Sequence, residues 1–172
     1  MGVQVQRSAA DLLPLITAIA ALVIDLLPIS AASPVGVAPS LLLVVAFYWS
    51  LHRPDLVSSL DLFCVGLLAD LIGATPLGST SLVLLTVRRA VLIPQRPLLA
   101  RSFLVAWLGF TATVLAVQLL RWIVMTFVYQ SLFRLGPLAV EAGLTAALYP
   151  PIAALLTLIA HQLETPADAA EG

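Results

Sequence analysis

Apolar runs that approach the length of a bilayer crossing follow one another along this chain, separated only by short turns. They cover residues 12–27, 35–51, 57–72, 79–93, 102–128 and 138–163. A helical crossing takes about 20 apolar residues, so four runs are short. The third and fourth must reach into their connecting turns. Breakers mark those turns: Pro28 and Pro34, Pro54, Pro76, Pro94 and Pro97, then Gly136-Pro137. No connection has room for a soluble domain. Only 10% of the 172 residues are charged and 61% are hydrophobic, whereas a soluble domain carries about 25% charged residues. Too few charges remain to build a polar shell. The expected fold is an all-α integral membrane protein, a single bundle of about six transmembrane helices over residues 1–163. Residues 164–172, small and acidic, read as a disordered cytoplasmic tail. A re-entrant first segment would leave five spans.

Charge and thiol content narrow the function. The net charge is -1, and all eight basic residues are arginines, so no basic field attracts nucleic acid. Cys64 alone supports neither an internal disulfide nor a thiolate metal site. His52 and His161 lie far apart in sequence, and no metal or cofactor is expected. Arg7 ahead of the first run and Ser30-Ala31-Ala32 behind it look faintly like a signal peptide. Asp11, Asp25 and Pro34 argue against cleavage there. Alternate chain ends hold Arg7, Arg53, and Arg96 with Arg101, and the opposite ends hold only Arg134. Arginine bias therefore puts both termini of a multi-pass membrane protein in the cytoplasm.

Seven charges fall inside apolar runs: Asp25, Asp61, Asp70, Arg88, Arg89, Arg121 and Glu141. Such residues face the bundle interior and need partners. Asp61 lies 14 residues before Thr75 and Arg89 lies 14 after it. In a hairpin both reach similar depth near the cytoplasmic side, so Asp61 is expected to pair with Arg88 or Arg89. Asp70 lies about 13 Å deeper toward the outside, at about 1.5 Å per residue. Asp25, Arg121 and Glu141 also fall toward the outer end, as a cluster of mixed sign.

Spacing adds three further expectations. Gly66, Asp70 and Gly73 share one helix face, and Ala139, Gly143 and Ala147 form a small-xxx-small stripe, both patterns of close helix packing. Tyr149-Pro150-Pro151 should kink the last helix. Catalytic geometry is missing. Asp61 and Asp70 stand on opposite faces of one helix and cannot share a proton, and no specific feature pairs Asp70 with Asp25 or Glu141. His52 adjoins Arg53, and no serine occupies a nucleophile turn. An enzyme is not expected; a proton-relay transporter is the fairer rival.

The segment RPDLVSSLDLFCVGLLADLIGATPLGSTSLVLL, residues 53–85, resembles the bacterial rod shape-determining protein family MreD. The resemblance rests on Arg53-Pro54, Gly66-Leu67-Leu68, Asp70 and Pro76-Leu77-Gly78, over about 35 residues. One departure is that Gly73 precedes Ala74, where the family often has the small residue first. The resemblance implies a membrane scaffold of the cell-wall elongation complex. It would bind MreC and, through it, work beside MreB, RodA and a class B penicillin-binding protein. It also implies that Gly66, Asp70, Gly73, Pro76 and Gly78 serve helix packing or partner contact. A looser likeness, to six-helix substrate-binding subunits of vitamin transporters, gives the alternative. Their Ala-xxx-Ala docking motif is approached here only by Thr17 and Ala21.

Overall fold

LLLVVAFYWSLH is apolar on every side, and a helix with no polar face is stable only when surrounded. In the computed structural model this segment is a helix whose residues Leu42 to Leu51 are all buried. The structure describes residues 9–27, 38–73, 75–92, 102–130 and 135–168. They form six α-helices: α1 (Ala9–Asp25), α2 (Leu41–His52), α3 (Ser59–Gly73), α4 (Ser79–Leu92), α5 (Phe103–Tyr129) and α6 (Leu135–Asp168). No strand occurs among the described residues.

Consecutive helices pair as hairpins, α1 with α2, α3 with α4 and α5 with α6, and α2 packs against α1, α4 and α6. The central helix is therefore the shortest one, 12 residues or about 18 Å. Its aromatic side chains weld the hairpins together. Phe47 meets Phe110 of α5 and Tyr149 of α6 at ring-centroid distances of 5.0 and 5.8 Å, while Phe110 stacks on Tyr149 at 4.6 Å. The indole of Trp49 donates to Thr17 Oγ1 on α1 at 2.9 Å, and the Tyr48 hydroxyl bonds Thr157 Oγ1 on α6 at 3.0 Å.

The six helices correspond to the six apolar runs, with differences at their bounds: α2 starts at Leu41 and not at residue 35, and Gly136-Pro137, expected in a turn, lie in the first turn of α6. α6 continues past Leu163 to Asp168, where a tail is expected from Glu164. α6 is also continuous through Tyr149-Pro150-Pro151, so the prolines do not break it. A proline at 150 removes the donor for the carbonyl four residues earlier. That carbonyl, on Ala146, is taken by the indole N–H of Trp107 at 2.9 Å. The connection holding Pro28 and Pro34, and Arg7, Arg96, Arg101 and Arg134, lie outside the described residues.

Two helices hold stretches long and apolar enough to cross a membrane, Phe103–Ile123 and Gly136–Ala160. Large apolar side chains lie exposed on every helix except α2, among them Ile16, Leu71, Leu82, Leu108 and Leu158.

Candidate functional site

The sequence ADLIGATPLGST folds back on its own carboxylate. Pro76-Leu77-Gly78 makes a turn closed by Ser79 N–H donating to the Pro76 carbonyl at 3.0 Å. Gly78 takes φ +89°, the left-handed value that the third position of a type II turn requires. This turn aims the start of α4 at Asp70, which is 1% exposed. Asp70 Oδ1 accepts from Thr75 Oγ1 at 2.8 Å, Ser79 Oγ at 3.1 Å and Thr80 N–H at 3.1 Å. Oδ2 accepts from Gly78 N–H at 2.8 Å and Thr80 N–H at 3.1 Å. A carboxylate on α3 thus caps the N-terminus of α4, where unpaired N–H groups and the helix dipole favour negative charge.

One turn earlier the two backbones touch. A Cβ on Gly66 would lie 2.6 Å from both Cα and N of Ser81, and Ser81 Oγ donates to the Phe63 carbonyl at 2.9 Å. Gly73 is different. A Cβ there would meet only Thr75 Cγ2 at 3.9 Å, so the close approach along this face is confined to Gly66. The Ala139, Gly143 and Ala147 stripe is exposed, with open space beside Gly143.

Asp25 does at α2 what Asp70 does at α4. Its carboxylate, on the last turn of α1, accepts from the backbone N–H groups of Leu41 at 2.8 Å and Leu42 at 2.9 Å, and from Ser40 Oγ at 3.4 Å. Both hairpins use one device, an aspartate near the end of the first helix capping the second. For Asp25 no local sequence pattern shows the pairing, because the capped residues lie 16 and 17 positions away.

Asp61 differs from the ion pair expected of it. Its Oδ2 accepts from Ser58 N–H at 3.0 Å while Ser58 Oγ accepts from Leu60 N–H at 3.2 Å, a reciprocal cap at the start of α3. Arg88 instead donates to Ser59 Oγ at 3.0 Å and to the Val57 carbonyl, and Arg89 is exposed. No ion pair joins Asp61 to either arginine among the described residues. The Ser58-x-x-Asp61 spacing is itself a capping signal, and depth matching alone passes over it.

At the opposite end of the bundle, Arg121 of α5 donates to Glu141 of α6 at 3.1 Å. Thr145, one turn further along α6, accepts from Ser40 N–H at 3.1 Å. These residues, Asp25 and Gln118 line a cleft of about 230 Å³ above the recessed start of α2. Leu22, Leu43 and Val83 are among its apolar walls. Gln118 and Thr145 carry no sequence motif and are visible as site residues only in the fold.

A family model described as rod shape-determining protein MreD matches residues 6–159 of the chain. No curated protein and no solved structure matches it.

Proposed function

The chain belongs to the MreD family of rod shape-determining proteins, and from that premise we propose that it is a non-enzymatic membrane scaffold of the elongation machinery. In this reading it binds MreC and, through it, works beside MreB, RodA and a class B penicillin-binding protein. The observation that carries the reading is the occupancy of Asp70. All its hydrogen bonds come from the turn and helix that it fixes to α3, so the most deeply buried charge serves assembly and not proton transfer. The large apolar side chains exposed on five helices favour insertion of the whole bundle in a bilayer, since soluble monomers rarely expose large apolar patches. All six helices then cross or enter the membrane, with both termini in the cytoplasm.

The test is depletion followed by complementation. Cells lacking the chain should lose rod shape, and a tagged wild-type copy should restore it and copurify with MreC. Gly66→Leu, which forces α3 off α4, should abolish both. Retention of rod shape on depletion would sink the proposal.

A further inference from the structure

The cleft at the Arg121–Glu141 end has a lining that hydrogen bonds among the described residues leave incomplete. Gln118 is 8% exposed and lines this cleft, yet its Oε1 has no hydrogen-bond donor among the described residues. A buried acceptor without a donor is destabilising, and the great majority of such atoms are satisfied. Gln118 and Arg121 are three residues apart and share a face of α5. The Arg121–Glu141 contact brings α6 to that face.

Charge decides what kind of donor fits. Among the lining side chains two carboxylates, Asp25 and Glu141, stand against one guanidinium, Arg121, which leaves one net negative charge. Asp25 is already engaged by the start of α2, and Glu141 Oε1 by Arg121. Among the described residues Gln118 Oε1 and Glu141 Oε2 remain as amide and carboxylate acceptors without a donor, beside the hydroxyls of Ser40, Ser79 and Thr80. A cleft of about 230 Å³ is smaller than the ~300–1,000 Å³ of pockets for drug-sized ligands. Its walls at Leu22, Leu43 and Val83 suit methylene groups. An ammonium spreads three donors around one charge and so reaches acceptors on two different helices. We propose that this cleft binds a primary ammonium group on a short carbon stem, held by Gln118 Oε1 of α5 and Glu141 of α6. The stem belongs either to a free amine or to the ethanolamine headgroup of a lipid. The site goes beyond the scaffold reading and does not depend on it.

Two probes separate the sources. Ethanolamine is titrated into the purified full chain in detergent, with sodium chloride at equal ionic strength as control. In parallel, the chain is placed in nanodiscs of phosphatidylethanolamine or of phosphatidylglycerol, and thermal unfolding is read in every case. A saturable rise in Tm with ethanolamine assigns the free amine. A rise only in phosphatidylethanolamine nanodiscs assigns the headgroup. In either case Gln118→Leu should weaken binding about tenfold or more, the loss expected for a hydrogen bond to a charged group. Gln118→Glu should strengthen it, a gain that misfolding cannot imitate. The proposal is overturned if neither probe stabilises the chain, if both variants respond like wild type, or if sodium chloride reproduces the effect. Water alone then satisfies Gln118. No partner protein enters the assay, so its failure leaves the scaffold reading standing, and loss of MreC capture leaves this site standing.

Discussion

Asp70 is a buried carboxylate that the chain holds with hydroxyl and N–H donors; among the described residues no cation pairs with it. An ionised carboxylate is acceptor-only, and every partner here is a donor or can act as one. Asp70→Asn replaces one acceptor oxygen with an NH₂ group facing donors. We expect it to destabilise the chain by about 3 kcal/mol, the scale of charge-assisted bonds lost together with donors left unsatisfied. Thermal unfolding in detergent reads the loss, and wild-type stability in the variant would contradict the capping role. The two glycines of the same face should separate as cleanly. Gly66→Ala puts a methyl against Ser81 backbone atoms that cannot rotate away, and overpacking of this kind costs about 1–3 kcal/mol. Gly73→Ala meets nothing closer than 3.9 Å and should stay within about 0.5 kcal/mol of wild type. Equal losses at the two positions would refute the backbone contact.

Elements of this fold end or pass through obstacles only because another element supplies what they lack. α2 and α4 start on aspartates borrowed from α1 and α3. α6 passes Pro150 because Trp107 of α5 occupies the orphaned Ala146 carbonyl. A cycle of substitutions tests that last link. Trp107→Phe leaves the carbonyl without a donor and should cost about 1–2 kcal/mol. In a Pro150→Ala background the new backbone N–H can reach the carbonyl, and the same substitution should cost much less. Coupling of about 1 kcal/mol between the two sites is the expected result, read from thermal unfolding of the four proteins. Simple additivity would show that the indole bond contributes nothing.

On the scale of the whole molecule, the up-and-down order of six helices puts the caps by Asp25 and Asp70, the Arg121–Glu141 pair and the cleft at one end, away from Asp61 and Arg88. In the orientation proposed from arginine placement this is the outer end. Reporter fusions after Thr75 should then behave as external and those after Pro54 as internal, and swapped signals would overturn the orientation. Apolar runs and breakers are local sums over neighbouring residues, so the sequence alone placed six apolar runs where the six helices lie, while the start of α2 at Leu41 and the end of α6 at Asp168 depart from it. It also marked Asp70, Gly66 and Gly78, whose roles close within one short hairpin. The sequence did not determine the choice of partner. Asp61 could reach a cation by depth, but the N–H three residues before it is nearer, and the turn geometry settles that contest. Ser40 meets Thr145 across 105 residues, and Asp25 meets α2 through a connection whose path no local pattern fixes. Only the tertiary structure decided that the short α2 is the hub, that Gln118 Oε1 has no donor among the described residues, and that a cleft lies beside it. Those facts depend on distances between segments far apart in the chain, which packing alone sets.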